Sequence, residues 1–328
     1  MPKAFRWSVR IAALVQLCTA VLAFQNSQSG AVQIQPRVHA AEAAKRDTPE
    51  PLLRVDSSLV LIPVHVTSYF GATVTDLKKD DFAIFQDGIQ QTITHFAKDD
   101  APVSVGVLLD ISGSMKYKMA KASQAAAEIF QFAGPGDEFF LVEFNARPKV
   151  TIPFTPDWGE VAAKIGGAKP SGLTAMLDAI HLGIGQMKHA RNARKVLIIL
   201  SDGGDNFSRR TMRQLRAALI EADVQVYAMG IFDTTQQGKI SREERGGPDL
   251  LGEVALDSGG RDFPIGREGD LSEIGVQIAR QMRNQYILGY SPDPLAVDGK
   301  YHQVNLKLTS HSSDLRTYYR RGYYAPVQ

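Results

Sequence analysis

The hydrophobic positions of this chain change rhythm along its length. From Ser58 they fall in short β-rich runs: Leu59–Val66 is largely apolar, Phe82–Phe85 leads to the turn pair Asp87-Gly88, and Ile89–Phe96 follows. An Asp-Gly pair between two such runs predicts a β-hairpin. No helix of usable length fits between 55 and 98. From Val103 strand and helix patterns alternate. Val103–Leu109 is a continuous apolar run, the kind buried on both faces of a parallel sheet. Met115, Met119, Ala122, Ala126, Ile129, Phe130 and Ala133 fall at helical spacing, and Gly134-Pro135 ends that helix. The same reading predicts strands over 138–144, 196–200 and 224–231, and helices over 158–165, 174–187, 211–222 and 270–283. Beyond Tyr286 the period returns to two, with Val304, Leu306 and Leu308 alternating with Asn305, Lys307 and Thr309.

Strands alternating with helices predict an α/β layer fold with a mainly parallel central sheet, here over residues 101–287. The flanking β segments, 55–98 and 288–328, are each too small to stand alone. They are expected to pair into one β-sandwich-like domain with the α/β domain inserted between them. Residues 24–54 mix Gln, Ser, Ala, Pro and charges without periodicity and read as a flexible linker.

Residues 1–23 carry a different kind of information. Lys3, Arg6 and Arg10 form a basic head, Ile11–Ala23 is apolar, and Val21 and Ala23 are small residues placed for cleavage. That is the layout of a secretory signal peptide, with a mature N-terminus near Phe24. An uncleaved anchor is the alternative, against which the run falls short of the ~20 residues of a comfortable span; no other apolar run of about 18 residues offers a route to a membrane. Secretion, or delivery to the periplasm or cell envelope, is therefore expected. Cys18 is the only cysteine of the 328 residues, so a processed chain has neither disulfide nor cysteine-ligated zinc.

Composition narrows the function. With 44% apolar and 22% charged residues, there is ample material for a core. The formal net charge is +2, and the basic head of the signal accounts for it. A nearly neutral body has no electrostatic footprint for nucleic acid. The histidines (39, 65, 95, 181, 189, 302 and 311) show no clustered metal-binding spacing, and neither nucleotide-binding glycine string nor a Gly-x-Ser-x-Gly elbow occurs. The charged stretch Thr234–Pro248 reads as an exposed loop.

The candidate chemistry lies at strand ends. Strand 103–109 runs into Asp110-Ile111-Ser112-Gly113-Ser114, and strand 196–200 runs into Ser201-Asp202-Gly203. Ligands of open α/β sheets sit beyond the carboxyl ends of strands, so two acidic turns there are placed to converge. Carboxylates and hydroxyls are hard oxygen donors, suited to Mg²⁺, Mn²⁺ or Ca²⁺. Taken singly, each has a plain explanation: a helix N-cap at Ser112 or Ser114, a turn at Asp202-Gly203. Their pairing after two separate apolar strands is what points to a metal site.

Asp110-Ile-Ser-Gly-Ser114, Ser171-Gly-Leu-Thr-Ala175 and Leu200-Ser-Asp-Gly203 together resemble the von Willebrand factor type A domain over about residues 101–287. The resemblance implies a Rossmann-like fold with one antiparallel edge strand, and a metal-ion-dependent adhesion site. In that site Ser112, Ser114 and Thr174 would coordinate through hydroxyls, and Asp110 and Asp202 directly or through water. Thr174 enters through the resemblance alone. Asp76–Phe82 with Asp87-Gly88, and the ending Arg321-Gly-Tyr-Tyr324, further resemble a secreted bacterial family related to that domain. The implied function is an exported, non-catalytic adhesion module holding a divalent ion, Mg²⁺ first, with Mn²⁺ or Ca²⁺ as alternatives. An exposed Asp or Glu of a protein partner would complete the site. A scaffold subunit with a structural metal is the second reading. A metal-assisted hydrolase is the third, and no histidine is tied to any motif to serve it as a base.

Overall fold

The computed structural model describes residues 59–232, 242–265, 270–309 and 314–327. The signal and linker segments, and part of the 234–248 stretch, lie outside them.

The central strand of the fold, β5 (Val103–Asp110), is buried along its whole length, as its unbroken apolar run requires. Its sheet also holds β6 (Glu138–Phe144), β7 (Lys149–Thr155), β8 (Arg194–Ser201), β9 (Gln225–Ile231) and β10 (Arg261–Ile265). The order across it is β10-β9-β8-β5-β6-β7. All neighbours are parallel except β7, which runs antiparallel to β6 at the edge. Gly106 sits mid-strand in β5 because a Cβ there would come within 2.2 Å of the Phe140 ring and 2.6 Å of Leu197. Its missing side chain is the space that these two occupy.

Helices cover both faces. One core joins the sheet to α1 (Met119–Phe130), α2 (Trp158–Gly166) and α6 (Asp270–Arg283), through residues such as Ala122, Ile129, Val161 and Ile278. The other joins it to α3 (Met176–Gln186), α4 (Met212–Ala222) and α5 (Arg242–Asp257), through Ile180, Leu215, Leu251 and Val254. Thr211 caps α4 with a reciprocal box: its hydroxyl accepts from Gln214 N–H, and Gln214 Oε1 accepts from Thr211 N–H. The charged stretch differs from expectation. Residues 242–248 begin α5, and 234–241 lie outside the described residues. Leu251, Val254 and Ala255 anchor this helix in the core, and it extends back through the good helix formers Arg242–Arg245.

The flanking segments interleave. β1 (Val60–Ser68) pairs antiparallel with β11 (Gln285–Tyr290) and β13 (Leu315–Tyr318), and β4 (Ile93–Asp99) pairs with β11. The second sheet runs β14-β12-β2-β3, from β14 (Gly322–Tyr324), β12 (Tyr301–Leu308), β2 (Phe82–Gln86) and β3 (Ile89–Gln91). Ile62, Val64, Ile84, Leu288, Tyr290 and Val304 form the core between the two sheets. Strands from both sides of the α/β domain thus build one sandwich. No helix among the described residues is long and apolar enough to cross a membrane.

Candidate metal site at the ends of two strands

The order of the central sheet creates the site. From β5 the chain moves to its neighbour β6 on one side, and later returns to pair β8 on the other. This is the switch point where connections diverge and leave a crevice at the carboxyl ends of the strands. Asp110 ends β5 and Ser201 ends β8, and both are fully buried.

Hydrogen bonds hold the two turns together. Ser201 donates its hydroxyl to Asp110 Oδ2 at 2.6 Å, and its own oxygen accepts Gly203 N–H at 2.9 Å. Asp110 Oδ1 accepts Ser112 N–H at 2.8 Å, and the Ser112 and Ser114 hydroxyls lie 3.0 Å apart. Asp202 is 1% exposed. Burial, and the Asp202 carboxylate nearby, push the Asp110 carboxyl up to about 7 against the bonds from Ser112 and Ser201. Two carboxylates crowded in low dielectric call for a cation. One is present: Lys118 Nζ lies 2.7 Å from Asp202 Oδ2.

Gly203 makes the tight turn possible. Its φ is +81°, and a Cβ there would lie 2.4 Å from the Gly247 carbonyl oxygen at the start of α5. The loop bearing Thr174 is fixed by backbone bonds from both sides. Gly113 N–H donates to Gly172 O at 2.9 Å, and Asn145 Nδ2 donates to Ser171 O at 3.0 Å. Asn206 Oδ1 accepts Thr174 N–H, and Thr174 O accepts the N–H groups of Asn206 and Phe207. Thr174 is thereby buried on the same face, at 4% exposure.

The structure thus brings Asp110, Ser112, Ser114, Thr174 and Asp202 to one end of the sheet. It adds Lys118, Ser201 and Asn206, whose roles depend on contacts across the chain. The position of Ser201 beside Asp202 is the one signal that a sequence offers for them. Three exposed large side chains lie near site residues in the sequence: Tyr117 (75% exposed), Leu173 (47%) and Phe207 (47%).

Residues 105–204 match the von Willebrand factor type A domain family. No curated protein matches the chain. Among solved structures, a von Willebrand factor type A protein from Catenulispora acidiphila shares 15% identity, with a TM-score of 0.46, over 74% of this chain and 76% of its own. An aerotolerance-related membrane protein from Bacteroides fragilis shares 16% identity, with a TM-score of 0.45, over 55% of this chain and 98% of its own. The conserved hypothetical protein BatB from Bacteroides thetaiotaomicron shares 18%, with a TM-score of 0.44, over the same 55% and 98%. The matched span runs from β5 to the turn after β8 and contains both acidic turns, so residues 105–204 of this chain match the von Willebrand factor type A domain.

Proposed function

We propose that the chain is an exported, non-catalytic protein-binding module whose site holds a divalent cation through Asp110, Ser112, Ser114, Thr174 and Asp202. One observation carries this reading: two fully buried carboxylates converge at the switch point with hydroxyls around them. The donor set is all oxygen, which suits Mg²⁺, Mn²⁺ or Ca²⁺ and disfavours zinc. A bound ion there would supply a positive vertex for a carboxylate oxygen of a partner. The exposed Tyr117, Leu173 and Phe207 support a protein partner, since aromatic side chains are enriched in contact patches. We place the partner's Asp or Glu at the ion and its neighbouring apolar residues against these three.

Two histidines with side-chain bonds lie in the sandwich and not at the ends of β5 and β8: His65 Nδ1 is bonded to Asn284 O, and His302 lies between Asp87 and Asp298. Residues 1–23 serve as the export signal in this reading.

The test is calorimetric titration of the purified protein with Mg²⁺, Mn²⁺ and Ca²⁺, alongside Asp110→Asn. The wild type should bind one ion and the variant none, with its fold retained by circular dichroism. Equal binding by both removes Asp110 from the site. A pull-down from envelope extract with and without chelator then reads the partner: capture that survives chelation overturns ion-dependent adhesion.

A further inference from the structure

Lys118 carries a positive charge that the metal-binding reading does not require. It is a cation placed where another cation would go. Its backbone is fixed: Lys118 N–H donates to Met115 O at 2.8 Å, and its carbonyl accepts Ala122 N–H at 3.0 Å as α1 begins. From there the side chain reaches Asp202 Oδ2 at 2.7 Å, and in that pose it is 13% exposed, against 1% for the aspartate. The neighbouring Lys116 and Tyr117 instead face solvent.

The other carboxylate oxygens are engaged. Both oxygens of Asp110 accept from Ser112 and Ser201, and Asp202 Oδ1 accepts a long 3.4 Å bond from Gly204 N–H. Asp202 Oδ2 is thus the oxygen that a second cation would contest with the ammonium. A lysine suits a replaceable counter-ion. Its charge is a compact point on four flexible methylenes, so the head can leave while the backbone stays.

We propose that Lys118 is a built-in latch of the site: its ammonium neutralises Asp202 while no divalent ion is bound, and it must swing out for the ion to enter. This rests on the metal-site reading above and adds the regulation of that site. The latch has two consequences. The protein folds without metal, because the buried carboxylate is never left unpaired. Divalent affinity is lowered by the fraction of time the latch is open; a latch closed nine-tenths of the time weakens apparent affinity about tenfold. The site would therefore fill where divalent ions are abundant and stay latched where they are scarce.

The experiment compares wild type, Lys118→Met and Lys118→Arg, each stripped with chelator and titrated with Mn²⁺ by calorimetry. Thermal unfolding is measured with and without the ion. Lys118→Met should bind Mn²⁺ about tenfold more tightly or better, and its melting temperature should be lower than wild type without the ion and recover with it. Lys118→Arg, which keeps the charge, should bind no more tightly than wild type. Equal or weaker binding by Lys118→Met overturns the latch and leaves the metal site standing. Absence of binding by all three overturns the metal site and the latch together. Should Lys118→Met not fold, the wild type alone decides. Amine-reactive labelling read by mass spectrometry should find Lys118 protected in chelator and modified in Mn²⁺. Equal labelling in both conditions overturns the proposal.

Discussion

Asn206 and Thr174 hold one another in both directions. Asn206 Oδ1 accepts Thr174 N–H at 2.9 Å, and Thr174 O accepts Asn206 N–H at 3.0 Å. The pair ties the loop before α3 to the turn that follows β8, so the position of the Thr174 hydroxyl is set from the Asp202 side of the crevice.

Asn206→Ala should therefore damage the site more than the fold. The buried Thr174 N–H loses its partner, which costs about 1–3 kcal/mol for an unsatisfied donor. The expected result is a modest loss in urea denaturation together with a clear loss of divalent affinity by calorimetry. Unchanged affinity would mean that Thr174 is not part of the site.

Gly203→Ala should be the more destructive change. An alanine must adopt a φ of +81° and place its Cβ 2.4 Å from the Gly247 carbonyl oxygen. Left-handed strain and the collision add, and the start of α5 has to move away. A loss of about 2–4 kcal/mol is expected from such a clash with strain. Gly204→Ala serves as the control, because the nearest atom to its Cβ lies 3.6 Å away. Chemical denaturation of both variants checks the contrast.

Much of the fold could be read before any coordinates. Strands β5 and β8 announce themselves because burial on both faces demands an unbroken apolar run, and α6 because its apolar stripe is regular from Asp270 to Arg283. Strand β7 leaves a weaker trace. It is an edge strand with only Ile152 fully buried, and Pro153 interrupts its pattern. Strand β10 is five residues long and also holds a proline, Pro264. In α5 the Gly246-Gly247-Pro248 string reads as a breaker, and the packing of the helix on β9, β10 and α4 overrides it.

The candidate site divides the same way. Asp110, Ser112, Ser114 and Asp202 are legible because they fall in the two acidic turns that follow apolar strands. Thr174 sits in a loop with no such marker and came through family resemblance. Lys118, Ser201 and Asn206 act across gaps of 84, 91 and 32 residues. Sequence spacing carries no record of such contacts; sheet order does.

The sandwich contains a titratable group whose effect on stability has a definite sign. His65 is buried in β1, its Nδ1 lies 2.9 Å from Asn284 O, and its Nε2 is buried without a partner among the described residues. Burial, together with the charge of Arg261, lowers it from 6.5 to about 4 against the bond to Asn284. The folded protein thus keeps His65 neutral where the unfolded chain takes up a proton. Its contribution is complete above pH 6.5 and is lost as pH falls toward 4, by about 3 kcal/mol at the acid end. His65→Gln should lower stability near neutral pH, and its deficit relative to wild type should shrink as pH falls through that window. Denaturation curves at half-unit pH steps measure the difference, and a constant deficit would refute the assignment.

Arg194 and Arg283 join the two halves of the molecule at the end of α6. Arg283 donates to Phe132 O from Nε at 3.1 Å and from Nη2 at 2.9 Å, and also pairs with Asp137. Asp137 in turn accepts Val103 N–H at the start of β5 and Gly134 N–H. Arg194, at the start of β8, donates to Met282 O at 2.6 Å and pairs with Asp99 of β4. Two residues beyond Arg283 the chain enters β11, which lies between β1 and β4 in the sandwich. The foot of the central sheet and the middle of the sandwich are thus fastened at one junction, so the wild type should unfold as a unit. The carboxylate of Asp137 is 2% exposed and, among the described residues, would lose its ion-pair partner in Arg283→Ala. Breaking a buried pair costs about 3–5 kcal/mol, less here because the arginine is partly exposed. In Arg194→Ala/Arg283→Ala, hydrogen exchange should separate the two halves, with peptides of β1 and β12 opening at a different denaturant concentration from those of β5 and β8. In wild type all four should open together. If the double variant still shows one transition, the halves are held by their apolar contacts, and these arginines only decorate the junction.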